Sequence, residues 1–408
     1  MITRRSLFPS AAAPLLSAAV PKQEQSFLFR ARGPAGLFGG GERTALMRTD
    51  GSGLKVFDFT KPNHSGWGVY AFFRDGRALL LSIERNPDWD TKAFQEFYAK
   101  SRTHLWICDL KSGRLTEIAD KDRVAPFYQP AALLPSEDRL LVTASINGKE
   151  VLHAIDLDGR NPRPLTSPDE YVYGVALSPD AKRVAFHANY RIVGMNIDGT
   201  GRVDVAGKRG MLYFGPQWSH DGQWLSFQVC DGRKDPGHDW SDVWIARPDG
   251  RDATALTNGY GAWFAASYGK PDNPGSGSNI PKWSPNGHLL YNRRLPDSRP
   301  PWKYNPHRPD TNHFNRDFLP DQARGGSELW AVDVRTRKHQ RITTPGAGLW
   351  DFRGEWSPDG RRILHCRAAV GANPSLRVVD RDGRNGRHLT DGIDGYGADH
   401  PRWIPAGV

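Results

Sequence analysis

The sequence predicts an all-β fold: a seven-bladed β-propeller of four-stranded antiparallel blades, closed by N- and C-terminal strands that share one blade. Three observations predict it. A Ser-Pro-Asp-Gly-like turn recurs along the chain, strand-like apolar alternation flanks each copy, and almost no segment has the 3.6-residue period of an amphipathic helix. The chain has 408 residues, of which 38% are hydrophobic, and this is enough for a sizeable core.

The recurring turn sets the repeat length. Asp138, Asp180 and Asp221 stand in successive copies 42 and 41 residues apart, which matches the ~40–45 residues of a four-stranded propeller blade. Wider intervals elsewhere require inserted loops. The copies are ALSPDAKRVAF (176–186), QWSHDGQWL (217–225), KWSPNGHLL (282–290) and WSPDGRRIL (356–364), with weaker ones at 72–81 and 133–142.

A second signature lies between these turns: a strand, an Asp-Gly or similar turn, and a strand that ends near Leu-Thr, as in VLHAIDLDGRNPRPLT (151–166). Each blade is therefore predicted to consist of two hairpins. The N-terminal segment carries the later strands of a blade without its first strand, and the C-terminal GADHPRWIP is a first strand with nothing after it. We therefore expect residues 401–405 to pair beside residues 27–32 and close the ring. Six or eight blades are the alternatives to seven.

Composition limits the classes of partner. The formal net charge of +10 favours anionic partners, but the basic residues form no stripe, so we expect no nucleic acid. No apolar run reaches the ~20 residues of a membrane span. Cys108, Cys230 and Cys366 are expected to be inert buried thiols. The protein is expected to be a monomer.

The first twenty residues are predicted to be an export signal of the twin-arginine type. Arg4 and Arg5 precede a short apolar stretch that ends in small residues. This interpretation gives two segments, the signal over 1–20 and a single propeller domain over 21–408, and a periplasmic or secreted location. The alternative is an ordinary N-terminus with two arginines and no targeting role.

The candidate site is expected where inter-blade loops and mid-blade loops share one face of the propeller. These loops are rich in histidine, tyrosine and arginine. His104, by contrast, opens a strand and is expected only to have a packing or capping role. The predicted catalytic residues are His238, His313 and His400 as candidate bases and Arg353 as the group that neutralises a carboxylate. The predicted ligand-binding residues are His64, Tyr128, Gln129, Tyr173, Tyr213, His307 and Arg316.

The repeats WSPDGRRIL, QWSHDGQWL and KWSPNGHLL, each followed by strand-turn-strand-Leu-Thr, resemble those of the TolB family. That resemblance covers nearly all of the chain after residue 25 and implies a protein-binding propeller of the cell envelope. The repeats are also similar to those of oligogalacturonate lyases, which implies β-elimination on uronic-acid oligosaccharides with a divalent metal held by His and Gln. Here Arg353 and Glu355 occupy the corresponding blade entry and only His400 resembles the lyase pattern, so no metal ligand is assigned.

Two functions are therefore predicted as alternatives. The first is an exported binding module that takes a protein or an acidic oligosaccharide at the channel mouth. The second is a polysaccharide lyase-like enzyme, for which β-elimination needs a base and a cation on the uronate carboxylate. A purely structural envelope protein is a third interpretation. The sequence leaves the cofactor unknown: a divalent metal is compatible with the second function, but no motif identifies its ligands.

Overall fold

A computed structural model of the chain describes residues 25–32, 43–59, 61, 64–84, 102–119, 131–146, 149–231, 240–259, 261–263, 279–300, 302–304 and 316–407. Within these ranges every regular element is a β-strand except one 3₁₀ turn, and none is a helix long and apolar enough to cross a membrane. The strands in chain order are β1 (Ser26–Arg32), β2 (Arg43–Arg48), β3 (Lys55–Phe57), β4 (His64–Phe72), β5 (Arg77–Glu84), β6 (Arg102–Asp109), β7 (Leu115–Ala119), β8 (Ala131–Leu133), β9 (Arg139–Ile146), β10 (Lys149–Asp156), β11 (Arg163–Pro164), β12 (Val172–Leu177), β13 (Arg183–Ala188), β14 (Arg191–Asn196), β15 (Val203–Ala206), β16 (Met211–Trp218), β17 (Leu225–Asp231), β18 (Trp240–Ala246), β19 (Thr254–Ala255), β20 (Ala262–Trp263), β21 (Lys282–Trp283), β22 (His288–Arg294), β23 (Trp302–Tyr304), β24 (Arg316–Phe318), β25 (Ser327–Asp333), β26 (His339–Arg341), β27 (Leu349–Trp356), β28 (Arg362–Ala369), β29 (Ser375–Asp380), β30 (Arg387–Thr390) and β31 (Gly397–Trp403), with the 3₁₀ turn at Pro320–Gln322.

The strands form an all-β propeller of four-stranded antiparallel blades. Four blades are separate sheets with the strand orders β3-β2-β1-β31, β4-β5-β6-β7, β11-β10-β9-β8 and β12-β13-β14-β15. The fifth sheet has thirteen strands, from β16 to β30 without β23 and β24, which pair only with each other. The prediction of seven blades is therefore wrong: the described residues form five blades, and β23 with β24 makes a separate two-stranded sheet.

The thirteen-stranded sheet arises because hydrogen bonds join groups of strands that the repeats would leave apart. The short strand β20 pairs with both β18 and β22. A single parallel bridge, Ser327 to Trp350, connects β25 to β27. Gly326 permits this approach, since a Cβ at that position would lie 2.2 Å from the Leu349 carbonyl oxygen.

The repeated turn is built by side-chain hydrogen bonds to the backbone. In the copy at Ser357, the hydroxyl lies 2.6 Å from Asp359 Oδ1, and both groups accept from the N–H of Arg361. The same Ser-to-acid contact occurs at Ser178 and Asp180. Such local bonds satisfy turn donors that would otherwise compete with the strands, which explains why this sequence recurs at each hairpin.

The tryptophan of the repeat joins neighbouring inner strands. We call the first strand of each sequence repeat an inner strand; these are β31, β4, β8, β12, β16, β21 and β27. The indole N–H of each tryptophan donates to a backbone carbonyl of the preceding inner strand at 3.0–3.1 Å. The pairs are Trp218 with Ala176, Trp283 with Gln217, Trp356 with Lys282 and Trp403 with Glu355. Trp283 and Trp356 are buried, as expected of core residues, while Trp218 is half-buried.

The chain ends close the ring as predicted. β31 pairs antiparallel with β1, with Trp403 opposite Phe27 and Gly397 opposite Arg32. Phe27 and Phe29 are fully buried between this blade and the one formed by β27–β30, where they pack in one cluster with Trp350 and Phe352. On the other side of the blade Leu28 packs with Trp67 of β4. The closing blade therefore contributes core side chains to both of its neighbours.

Candidate functional site

Four inner strands share a β-bulge three residues before their last position. In β12 and β16 the bulge residue is a glycine with positive φ, Gly174 (70°) and Gly215 (57°). In β27 and β31 the same position holds Arg353 (φ 49°) and His400 (φ 50°). The strand register shifts at each of these points. The fold therefore places an arginine and a histidine at a position where β12 and β16 have glycine.

Left-handed backbone at a non-glycine residue costs roughly 1–2 kcal/mol, because Cβ crowds the neighbouring carbonyl oxygen. Such a conformation persists only where the surroundings fix it, and it is enriched at functional sites. At Arg353 the backbone N–H donates to Asn279 Oδ1 at 3.1 Å, and at His400 it donates to Asp399 Oδ1 at 2.7 Å. These bonds hold the two bulges in place.

Asp399 joins the two bulge residues. Its side chain is fully buried, and both carboxylate oxygens accept from Arg353 Nη1 at 2.5 Å. His400 Nδ1 lies 3.2 Å from Asp399 Oδ2, and the Cys366 thiol lies 3.4 Å from Oδ1. Burial and then the Arg353 charge lower the pKa of His400 to about 3, although Asp399 acts in the opposite direction. The imidazole is therefore neutral at physiological pH.

A second buried carboxylate supports the start of β27. Asp351 is fully buried and accepts two bonds from the guanidinium of Arg367, at 2.6 and 2.8 Å. His365 Nδ1 lies 3.7 Å from the same carboxylate, but burial still lowers the pKa of this histidine. The Asp351 backbone carbonyl accepts from the Ser327 hydroxyl at 2.7 Å. These contacts fix the strand that carries Arg353.

Among the described residues on and beside the inner strands near the bulges, cationic side chains outnumber carboxylates. Arg402, one third exposed, donates to Glu355 at 2.7 Å, and Lys282 Nζ lies 3.3 Å from the same carboxylate. Arg30 on β1 is nearly buried and close enough to His400 to lower its pKa. Arg30, Arg353, Arg402 and Lys282 lie near the described carboxylates Asp399 and Glu355, while the third, Asp351, pairs with Arg367. The region is electropositive.

A cavity of about 260 Å³ opens beside these charges. Tyr70, Arg402 and Glu355 line it together with the tryptophans of the inner strands, Trp283, Trp356 and Trp403. Residues of the repeated turns, among them Pro285 and Pro358, also line it. The cavity therefore lies toward the turn end of the inner strands and combines aromatic faces with one partly exposed guanidinium.

The remaining predicted residues divide into three groups. His64 begins β4, where its Nδ1 lies 2.8 Å from the Ser82 hydroxyl, and burial lowers its pKa. Tyr213 lies on β16, where burial raises its pKa, and Tyr173 lies on β12 opposite His187. Of Arg316, only its backbone in β24 is described. His238, His307, His313, Tyr128 and Gln129 lie outside the described residues.

Arg353 and His400 are thus the two predicted residues that the structure brings together. The sequence analysis missed the groups that connect them: Asp399 at the bulge, and Arg402 and Lys282 in the electropositive region. Two glycines at the equivalent bulge, Gly174 and Gly215, were the available signal for Arg353 and His400, because aligning the repeats places all four in one column.

No family model matches the sequence, and no curated protein matches it. Solved structures match over most of the chain. An oligogalacturonate lyase in complex with manganese is 14% identical with a TM-score of 0.53, and the match covers 91% of this chain and 86% of that one. A prolyl endopeptidase is 9% identical with a TM-score of 0.55, over 94% of this chain and 51% of that one. TolB from Acinetobacter baumannii is 14% identical with a TM-score of 0.48, over 93% and 67%. Identities this low show the propeller fold alone.

Proposed function

We propose that this propeller is a binding module for an acidic oligosaccharide, with the ligand's carboxylates in the electropositive region of the inner strands. The observation that carries the proposal is the pair of left-handed bulge residues, Arg353 and His400, which contact the buried Asp399 at a position where β12 and β16 have glycine. Backbone strain retained at two equivalent positions favours a functional role over a packing role.

The chemistry of the lining favours an anionic sugar. Arg402 is one third exposed and only partly neutralised, because Glu355 is shared with Lys282. Guanidinium groups recognise carboxylates through two parallel hydrogen bonds. Aromatic side chains with polar edges, such as Tyr70 and the tryptophans around the cavity, suit the apolar faces of a sugar ring. The net charge of +10 adds long-range attraction for a polyanion.

The same geometry favours binding over lyase chemistry at this point of the fold. A general base works best when its pKa lies near the working pH, and the pKa of His400 is about 3. The guanidinium of Arg353 already pairs with the buried Asp399. Lyase activity remains the second candidate because the fold resembles an oligogalacturonate lyase and because a base candidate and a cation candidate lie side by side.

Titration calorimetry with oligogalacturonate, oligoalginate and an uncharged oligosaccharide of equal length tests the proposal. We expect the acidic sugars alone to bind, more weakly as salt increases. Arg402→Gln should weaken binding at least tenfold, whereas Arg251→Gln, which removes an exposed arginine of an outer turn, should not. Equal binding of the neutral sugar would overturn the proposal. The appearance of unsaturated uronate absorbance, with or without divalent metal, would establish the lyase instead.

We also propose that residues 1–20 export the protein, so that the propeller from residue 21 acts in the periplasm or outside the cell. The support is the Arg4-Arg5 pair before an apolar stretch with small residues. Cell fractionation of the full chain and of a variant with Lys at both positions tests this. Because the twin-arginine pathway requires the arginine pair, the variant should stay in the cytoplasm, and export that is unchanged would contradict the proposal.

A further inference from the structure

Two histidines and a glutamate, side-chain types that can bind a metal ion, cluster at one end of the blade formed by β4–β7, apart from Arg353 and His400. His64 begins β4, Glu84 ends β5 and His104 lies on β6, so three adjacent strands contribute one group each. One ligand atom of each residue lies within 4.8 Å of the others. His104 Nε2 is 3.1 Å from Glu84 Oε2, and the two imidazole rings have centroids 4.7 Å apart.

The strand register produces the cluster. His64 lies directly opposite Glu84, and Ser82 lies directly opposite His104. Residues opposite each other or diagonal on one face of a sheet have side chains close enough to interact. The three groups are therefore positioned by backbone hydrogen bonds of a regular sheet, which is a more rigid support than a loop.

Further polar contacts orient both imidazoles. His104 Nδ1 lies 2.5 Å from Glu117 Oε1 on β7. His64 Nδ1 lies 2.8 Å from the Ser82 hydroxyl, which also accepts from the indole N–H of Trp106 at 2.8 Å. Metal-binding histidines almost always donate their other ring N–H to a carboxylate or a similar acceptor, which fixes the tautomer. Here Nδ1 makes that contact in both residues, so Nε2 can offer its lone pair.

Two tryptophans form an apolar shell around the pair. The ring of Trp67 lies 5.9 Å from that of His64, and the ring of Trp106 lies 6.0 Å from that of His104. The His104 side chain is 12% exposed, while Glu84 is 32% exposed. The cluster therefore has a shielded side and a side that an ion can reach. An apolar shell of this kind strengthens binding because it excludes competing water.

We propose that His64, Glu84 and His104 bind one divalent transition-metal ion of the zinc class. Two imidazoles and one carboxylate form a donor set that zinc takes in sites with three protein ligands, and this arrangement leaves a coordination position open. Water or an oxygen of an anionic ligand would fill that position. Glu117 is a positioning residue, since it contacts His104 but contributes no ligand atom. The proposal does not depend on sugar binding around Arg353, His400 and Arg402.

Zinc titration of the untagged full chain after chelator treatment tests the proposal, with cobalt as a spectroscopic probe. We expect His104→Gln and Glu84→Gln each to lose one equivalent of tight zinc binding. In the cobalt protein, the same two variants should lose the visible d–d absorption of a nitrogen- and oxygen-ligated ion. Glu117→Gln should retain that absorption, with affinity about 10–100-fold weaker.

His388→Gln is the matched control, because it removes an exposed histidine that contacts a carboxylate, Asp391, at 2.8 Å on another blade. It should bind zinc as the unmodified chain does. If His104→Gln does not fold by circular dichroism, Glu84→Gln decides, since its side chain is partly exposed. The proposal is wrong if the unmodified chain binds no zinc or cobalt, or if the stoichiometry in Glu84→Gln is unchanged.

Discussion

Replacing Asp399 with Asn should destabilise the propeller by about 3–5 kcal/mol, the cost of breaking a buried ion pair from one side. Asp399 is fully buried, its partner Arg353 is only 6% exposed, and the two atoms closest to each other are 2.5 Å apart. A guanidinium cannot lose its proton in a protein. The variant therefore removes the carboxylate that Arg353 contacts in a region that water hardly reaches, and the loss of this counter-charge dominates the effect.

Unfolding in guanidinium chloride, followed by tryptophan fluorescence, measures this effect, because the chain has 14 tryptophans distributed over the repeats. The matched control is Asp204→Asn, which breaks an ion pair with Arg191 at 2.8 Å whose two side chains are 43% and 53% exposed. Exposed pairs contribute about 0–1 kcal/mol. The two variants therefore remove the same kind of contact and differ in burial.

A double variant separates the charge from the loss of packing. Arg353→Met combined with Asp399→Asn removes both charges and keeps an acceptor for the His400 backbone N–H. It should recover more than half of the loss in free energy of unfolding, since replacing both partners of a buried pair is often neutral. If Asp399→Asn costs less than about 1 kcal/mol, or if the double variant is the least stable of the three, the reasoning about this pair is wrong.

Three other predictions concern pH, chain closure and the thiols. Burial lowers the pKa of His400 below its unfolded value. The contribution of His400 to stability should therefore be complete above about pH 6.5 and should decrease as the pH falls toward 3. Urea denaturation at pH 7 and pH 5 should show a smaller decrease in the free energy of unfolding for His400→Asn than for the unmodified chain. Truncation before Gly397 removes β31 and exposes the edge of β1, so we expect the truncated chain in the insoluble fraction of a lysate, and a soluble monomer would contradict the closure. Burial raises the pKa of Cys108 to about 12, and all three cysteines are buried. A thiol reagent at pH 7.5 should therefore label no cysteine in the native protein and three after unfolding. Fast labelling of the native chain would contradict this.

The propeller could be predicted because its information is local and repeated. Each Ser-Pro-Asp-Gly turn forms its hairpin through contacts within five residues, as at Ser178, whose hydroxyl accepts from the N–H of Arg183. Where the first strand ends in tryptophan, at four places in the described chain, its indole then bonds to the preceding inner strand, so a local residue also helps to join neighbouring repeats. The pairing of the two chain ends followed from the same count, because a first strand and later strands were left over at opposite ends of the chain.

The number of sheets depended on contacts that no repeat encodes. Ala262–Trp263 belongs to a segment that reads as an inter-blade loop, rich in Gly and Ser, yet its two residues bond to β18 and β22 and merge neighbouring groups. The bridge from Ser327 to Trp350 depends on the missing side chain of Gly326. Both are close approaches between segments distant in sequence, and hydrophobic alternation carries no information about them.

The candidate sites were predicted in part for a related reason. Arg353 and His400 were chosen for their residue types. Their shared partner Asp399 was missed because a bulge changes which side chains face inward, and the sequence pattern does not show the bulge. The cluster of His64, Glu84 and His104 needs the register of two hairpins, one of which spans the inserted residues 85–101. A slip of one residue would turn His104 to the opposite face. Chemistry that depends on cross-strand register therefore becomes visible only when the strands are paired, whereas chemistry carried by a repeated column can be read from the sequence.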